Sequence, residues 1–587
     1  MPKSLRRAAA LVAVVCALVT SFAGCERNVG PKIASAAASG HLPTSHAAHA
    51  PFVDIASEVG LHFRYESGRA EECHFFEVLG GGVALFDLDN DGDLDVYLVQ
   101  GQTRGSETTT LLSDRLYRND LDRGTLSFHD ITDEAGLLEA GYGMGVAAGD
   151  FNNDGRVDLY VTNYGPNQLL RNDGDERFAN VTAAAGVDDP RWSTSAAFVD
   201  YDRDGWLDLF VCNYVNYDVA LRKPCFDGNG VRDYCGPSSY DPVPDRLYRN
   251  QRDGTFKDVT TKAGISAACG PGLGVVSADV NLDGWPDLYV ANDAAANQCW
   301  INQRDGTFRD EALLNGSAFN GVGSPEGGMG VDATDFDDDG DVDILVGHFA
   351  GESNTLYVNE LAGGFADKTE ATRLAAPSIP LTTFGIGWID IDNDGRLDIL
   401  VANGAVKRGG TTSSLAATYP QGQPNQLFRH AGDGTFASDT PATASSGDRL
   451  SRGIAFGDLD NDGAEDALVV NSHGPIELLR NVGAAGNRWI GLRLVDQSGR
   501  RDAIGAVAEI VLADGSQLQR RVYTDGSYCS ASDPRIIVGL GDHATVDRLR
   551  VRWPSGRVEQ WQVSGGNELR LNQYQTIRES TGNEVSQ

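Results

Sequence analysis

Seven times this chain sets acidic or amide side chains at alternating positions, follows them with Gly and closes with a further Asp, in the pattern Asp-x-Asp/Asn-x-Asp-Gly-x-x-Asp. Positions 1, 3, 5, 7 and 9 of the first copy are Asp87, Asp89, Asp91, Asp93 and Asp95, and of the second Asp150, Asn152, Asp154, Arg156 and Asp158. The third copy is Asp200, Asp202, Asp204, Trp206 and Asp208, and the fourth is Asp279, Asn281, Asp283, Trp285 and Asp287. Then come Asp335, Asp337, Asp339, Asp341 and Asp343, followed by Asp390, Asp392, Asp394, Arg396 and Asp398. Asp458, Asp460, Asp462, Ala464 and Asp466 make the last. Alternating carboxylates turn several hard oxygens to one side of a tight loop. Gly at position 6 permits the turn, the main-chain carbonyl at position 7 serves whatever side chain it carries, and the Asp at 9 closes the shell. Such an all-oxygen cage suits calcium, and up to seven structural calcium ions are expected. An EF-hand would instead close with Glu at position 12 between two helices.

The flanks name the elements that must hold these loops. GGGVALFD, GMGVAAGD, TSAAFVD, GLGVVSAD, GMGVDATD, FGIGWID and RGIAFGD lead in, and VYLVQ, LYVTN, LFVCN, LYVAN, ILVGH, ILVAN and ALVVN lead out. Short apolar runs bounded by Gly read as strands, here A before the loop and B after it. A Leu-Tyr-Arg-Asn-like run (RLYRND from Arg115) and a Phe-x-Asp-Val-Thr-like run (FHDIT from Phe128) recur after them and supply strands C and D. Four strands per unit in seven units predict an all-β chain: a seven-bladed calcium-binding β-propeller over residues 52–482, followed by a small β domain. The seventh unit lacks its strand D, whereas Phe52–Ala56 is a D-type strand with nothing before it. Pairing the two closes the ring and removes its exposed sheet edges.

Composition points outward from the cytoplasm. The 587 residues include 70 glycines and carry a formal charge of −35. Much of that acidity sits in the loops, and it disfavours nucleic acid, whose phosphates would be repelled. Residues 1–25 combine Lys3, Arg6 and Arg7 with an apolar stretch and end in Phe-Ala-Gly-Cys25. This resembles a bacterial export signal with a lipobox, in which Cys25 is lipidated and the membrane is met through that lipid alone; ordinary signal cleavage is the alternative. Residues 26–51, rich in Ala, Ser and His, read as a flexible tether. Cys225 and Cys235 lie in the longest insertion, where export makes a local disulfide the expected pairing.

Beyond residue 486 the loop motif stops and alternating patterns such as WIGLRLV and RLRVRW predict a small β domain over 487–575, with 576–587 as a tail. Asn487-Arg-Trp489, Arg501-Asp-Ala-Ile-Gly-Ala506, Gly526-Ser-Tyr-Cys-Ser530, Gly539-Leu-Gly541 and Trp553-Pro-Ser-Gly556 resemble the ASPIC/UnbV domain. The upstream units resemble FG-GAP/VCBS repeats. Together they make the mature chain similar to bacterial members of the cartilage acidic protein family. That resemblance implies an exported calcium-binding propeller with a β appendage, and leaves the activity open.

Catalytic signatures are absent from the sequence: no Gly-x-Ser-x-Gly elbow, P-loop, His-Glu-x-x-His or dinucleotide fingerprint occurs. Carboxylate pairs fall inside the loops, where ligation leaves them unsuited to acid/base work. A polar residue ends each strand B: Gln100, Asn163, Asn213, Asn292, His348, Asn403 and Asn471. These form either a polar binding face or ordinary turn chemistry, the latter favoured. The stretches Cys212–Asp245 and Lys407–Gln426 are not required by the repeat and are candidate ligand-contacting loops or inert insertions. Two function classes stand: a non-enzymatic binding or scaffold protein with a protein or glycan ligand at the cell envelope, which is favoured, and a calcium-dependent carbohydrate-active enzyme such as a polysaccharide lyase.

Overall fold

In a computed structural model, the described residues run from 50 to 585, apart from 70–71, 103–111, 122–123, 138–140, 222, 361–363, 408–420, 440–447, 485, 543–544 and 563–568. Cys25, the export signal and nearly all of the tether lie outside them. Seven antiparallel sheets follow one another along the chain, six of four strands and the fourth with an added short strand, Glu326–Gly327, paired to its second strand. Their first strands are Val83–Phe86, Gly143–Gly149, Ser193–Val199, Gly272–Ala278, Val331–Thr334, Thr383–Ile389 and Ser451–Gly457, which define blades 1 to 7. Each first strand touches that of the next blade, and the strand of blade 7 touches that of blade 1, so the ring closes.

The closing strand is N-terminal. Phe52–Asp54 pairs antiparallel with Glu477–Asn481, Phe52 opposite Asn481 and Asp54 opposite Leu479. Each blade is covered on both sides by its neighbours, so its inner strands are apolar throughout rather than alternating; Phe86, Val99, Val146 and Val161 share one core between blades 1 and 2. Near the axis the first strands come so close that glycine is required. A Cβ on Gly330 would stand 2.2 Å from the Phe384 oxygen of the next blade.

The C-terminal residues build two sheets around one core that includes Ile490, Ile510, Val538, Leu549 and Trp553. The strand Tyr574–Arg578 runs parallel to Arg488–Val495, and Asn583–Glu584 pairs with Val558–Gln562. The stretch from 576, expected as a tail, is therefore part of this domain, because these pairings cover strand edges that would otherwise be bare.

The domain is also no simple appendage. Residues 524–532 enter the channel of the propeller and meet every blade. Ala531 exchanges hydrogen bonds with Val83 and Leu85 of blade 1, 2.8 and 2.9 Å. The Cys529 oxygen accepts from Val146 N–H of blade 2, 3.1 Å, and Cys529 N–H donates to Ser195 Oγ of blade 3, 3.0 Å. Asp525 accepts from Ser277 N–H of blade 4, Ser527 O from Val331 N–H of blade 5 and Ser532 Oγ from Phe456 N–H of blade 7. The Tyr528 ring meets Phe384 of blade 6 edge-on, centroids 5.0 Å apart.

The other end of the channel is closed by a 3-10 turn, Phe75–Val78, whose two aromatic rings pack among Tyr142, Tyr164, Trp192, Tyr214 and Tyr217. Arg452 lies buried there, over the Phe384 ring at 3.9 Å and bonded to the oxygens of Val78, Gly404 and Ser451. The stretch Cys212–Asp245, which the blade repeat does not require, is no inert insertion. It supplies Tyr214, Val215, Tyr217 and Tyr234 to this closing core and also carries the hairpin Cys225–Phe226 with Arg232–Asp233, which Arg232 ties to the Glu72 oxygen. Cys225 and Cys235 are joined, with S–S 2.03 Å.

Candidate metal centres

Each loop is held in shape by its own carboxylates. The position 1 Asp accepts the N–H of position 5 on Oδ1, at 2.9–3.1 Å, and that of position 6 on Oδ2, at 2.8–3.2 Å, in all seven copies. Gly at position 6 is left-handed throughout, as the turn demands, and so is position 4: Asn90, Asn153, Arg203, Leu282, Asp338, Asn393 and Asn461 have φ between 55° and 64°. Asn, the residue that best tolerates that conformation after Gly, occupies four of those seven positions.

The position 9 Asp clamps the loop to its blade. Its Oδ1 accepts a main-chain N–H from strand C at 2.7–2.8 Å in every blade, as from Asn119 to Asp95. Strand C then reaches sideways. The side-chain amide of its last Asn donates to the position 2 carbonyl of the preceding blade at six of the seven junctions, at 2.8–3.0 Å. The seventh junction has His430 at that place, its ring nitrogens without hydrogen-bond partners beside Phe336 and Phe436. The Leu-Tyr-Arg-Asn repeat carries this signal in the sequence, where it reads only as a strand.

In five loops three carboxylate oxygens converge to within 4.8 Å of one another. Positions 1, 3 and 9 meet at Asp87, Asp89 and Asp95, at Asp200, Asp202 and Asp208, and at Asp458, Asp460 and Asp466; positions 1, 3 and 5 meet at Asp335, Asp337 and Asp339 and at Asp390, Asp392 and Asp394. The other two loops carry Asn152 and Asn281 at position 3 and so offer an amide oxygen there instead of a third carboxylate. Asp202 Oδ1, Asp208 Oδ2 and Asp460 Oδ1 are buried and accept no hydrogen bond. Burial pushes Asp335, Asp390 and Asp458 up to about 7 and Asp87, Asp150 and Asp200 up to about 6, neighbouring loop carboxylates adding to the effect. Unpartnered buried oxygens of like charge, drawn together by rigid turns, fit a hard cation. These residues can hold metal.

Some outer oxygens are already taken. Arg249 pairs with Asp202 at 2.7 Å, Arg304 with Asp283 at 2.8 Å and Arg480 with Asp460 at 2.5 Å. Of the position 7 side chains, Arg156 and Arg396 turn back onto Asp154 and Asp394 of their own loops, so only the carbonyl there remains for ligation. Among the described residues the polar ends of strand B form no open binding face: all seven are buried, and Asn163, Asn292, Asn403 and Asn471 donate to carbonyls of their own connections.

The C-terminal domain covers the loop face with a set of arginines. Arg493 lies 3.4 Å from Asp87, and Arg501 donates to Asn153 Oδ1 and the Gly205 oxygen at 3.0 and 2.8 Å. Arg552 meets Asp279 at 2.8 Å; Arg520 meets Asp338 at 3.6 Å and the Gly395 oxygen at 2.7 Å. Arg535 donates to the Gly92 and Asp458 oxygens and to Asn461, while Tyr574 donates to Asp458 at 2.9 Å. All seven loops are reached. Of these residues the sequence singled out only Arg501, and that as part of a family resemblance, because arginines on alternating strands look the same as a solvated face.

The sequence profile described as "FG-GAP-like repeat" matches residues 87–161, 150–211, 226–290, 279–346, 335–401 and 415–469, and "ASPIC and UnbV" matches 496–584. The chain is 28% identical over 519 residues to cartilage acidic protein 1 of Homo sapiens, covering 83% of this chain and 71% of that protein. It is 26% identical over 517 residues to the Xenopus tropicalis protein, with 83% and 72% covered. Among solved structures, YCF48 bound to D1 peptide is similar at a TM-score of 0.39 and 8% identity, covering 69% of this chain and 92% of that one.

Proposed function

This chain belongs to the family of FG-GAP-like repeat proteins that carry the ASPIC and UnbV domain of cartilage acidic protein 1, and we propose that it is an exported, calcium-stabilised binding protein of the cell envelope. The observation that carries the calcium reading is the set of buried, unpartnered oxygens of Asp202, Asp208 and Asp460 inside three-carboxylate clusters. When bound, calcium supplies the positive charge those clusters lack; Asp, Asn and the position 7 carbonyl are its ligands. Export and lipid attachment at Cys25 rest on the leader sequence.

Recognition is assigned to the hairpin stapled by Cys225 and Cys235. Phe226 and Val231 stand 60% and 58% exposed together on this one hairpin. Both mouths of the channel are filled by the protein itself, which leaves its outer connections as the accessible surface. The ligand class is a protein or glycan of the envelope.

The test is a binding screen against envelope proteins and glycans in calcium and in chelator, with a Phe226→Ser, Val231→Ser variant alongside. Binding lost in the variant at unchanged melting temperature supports the assignment. Polysaccharide cleavage in the same assay would instead favour the lyase class. Fractionation of a Cys25→Ser variant tests the anchor: unchanged membrane partitioning argues against it.

A further inference from the structure

A cavity of about 350 Å³ lies between the C-terminal domain and the loop face of blades 1 and 2. Small-molecule sites fall in roughly the range of 300–1,000 Å³. Its inner wall is apolar, formed by Leu85 and Leu94 of blade 1, Ala148 of blade 2, Leu207 of blade 3 and Ile504 of the C-terminal domain. Its remaining wall is polar and charged, with Arg156, Arg493, Arg500, Arg501 and Arg535 set against Asp87, Asp150, Asp502 and Asp533. Of the arginines there, Arg493 and Arg535 already pair with Asp502 and Asp533, each at 2.8 Å. Arg156 pairs with Asp154. Arg501 binds the loops through Nη1, yet its Nε is buried and has no acceptor. The Arg500 guanidinium has no hydrogen-bond or ion-pair partner among the described residues. The other lining carboxylates are Asp87 and Asp150, both position 1 residues of the metal loops.

We propose that this cavity binds a small amphiphilic anion, its apolar body against Leu85, Ala148 and Ile504 and its acid group on Arg500 and Arg501. The charge argument rests on the calcium reading above, because a cation in the second loop takes up the charge of Asp150, the lining carboxylate that Arg501 faces, while Arg500 has no ion-pair partner among the described residues. The apolar floor disfavours a fully polar sugar, and the two arginines disfavour amines.

Octanoate, octylamine and octanol are the probes, measured by displacement of the fluorescent sulfonate 8-anilinonaphthalene-1-sulfonate from the full folded protein in calcium. Octanoate should displace it best and octylamine least. Arg500→Glu should weaken octanoate on the order of tenfold while leaving octanol unchanged, as expected for one charge-assisted contact. Ile504→Phe, which fills the floor, should weaken both. Equal displacement by amine and acid, or octanoate binding indifferent to Arg500→Glu, overturns the proposal. Melting temperatures with and without calcium are taken on the same samples. A calcium-stabilised protein that binds no octanoate sinks this inference alone; a protein whose melting ignores calcium sinks the reading beneath it.

Discussion

The side-chain amide of Asn172 donates to the main-chain oxygen of Leu88 across 2.9 Å, joining residues 84 positions apart in the chain. Leu88 sits in the metal loop of blade 1 and Asn172 at the end of strand C of blade 2, so the bond ties a loop to the next blade. The same stitch recurs at five further junctions, and each joined carbonyl would otherwise be left without that donor.

Asn172→Ala and Asn250→Ala should therefore each destabilise by ~1–3 kcal/mol, the penalty for an orphaned buried acceptor. The reverse experiment is available at the junction that lacks the stitch. His430→Asn should raise stability by about 1 kcal/mol, since it restores a donor where the ring nitrogens now find no partner. Urea unfolding in calcium measures all three, and a neutral result for both Ala variants would show the stitch to be idle.

Chelation should lower the melting temperature and also unmask a pH dependence. Burial holds Asp335, Asp390 and Asp458 at about 7, above the ~3.9 of an unfolded Asp. Between those values the metal-free fold carries more protons than the unfolded chain, so its stability falls as pH rises from 4 to 7. A bound cation removes that loss by holding the carboxylates ionised. Thermal melts across that pH window in EDTA and in calcium check this; parallel curves in the two media would refute it.

Much of this fold was legible because an Asp-rich loop motif, a turn Gly and two strand signatures repeat in phase, and because Phe52–Ala56 and the missing strand D answer each other. The acidic loops were legible too, and in five of them three of the named Asp side chains come together. The channel plug was not. Gly526-Ser-Tyr-Cys-Ser530 reads only as part of the ASPIC/UnbV resemblance, and only the assembled ring shows seven blades converging on it. The aromatic closure by Phe75, Phe76 and Tyr214 stayed hidden for a similar reason: these residues lie in insertions without period, and distant contacts decide their burial. Likewise, Asn at the ends of strands B and C looks alike in sequence, yet one caps its own turn and the other crosses to a neighbour.

Arg535 should hold the C-terminal domain onto the loops. Its ion pair with Asp533 is largely enclosed, and it donates to blades 1 and 7 at once. Removing one partner of such a pair leaves the other charge unpaired, at a cost of about 3–5 kcal/mol. Arg535→Ala should make residues 524–532 susceptible to protease under native conditions while wild type resists. If cleavage is unchanged and melting is unshifted, the arginine contacts do not secure the domain.

The N-terminal strand should be indispensable to the ring. Phe52 is 1% exposed within the core shared by blades 6 and 7, and its strand contributes more than one contact at the closing edge. Ile55 N–H donates to the Leu478 oxygen at 2.9 Å, Val482 N–H to the Pro51 oxygen at 2.8 Å, and Asp54 Oδ1 accepts from Leu478 N–H at 3.2 Å. Deleting residues 51–57 would leave Glu477–Asn481 as a bare edge and empty the site of a Phe ring. The first invites association between molecules, and the second alone costs about 3–5 kcal/mol. The deleted protein should aggregate or melt far below wild type, and a Phe52→Ala variant that keeps the strand should show the packing loss without the association. Adding a synthetic peptide of residues 50–60 should rescue the deletion but not improve wild type. Light scattering and thermal melts read both effects. A truncated protein that stays monomeric and melts normally would mean that the ring does not need this strand to close.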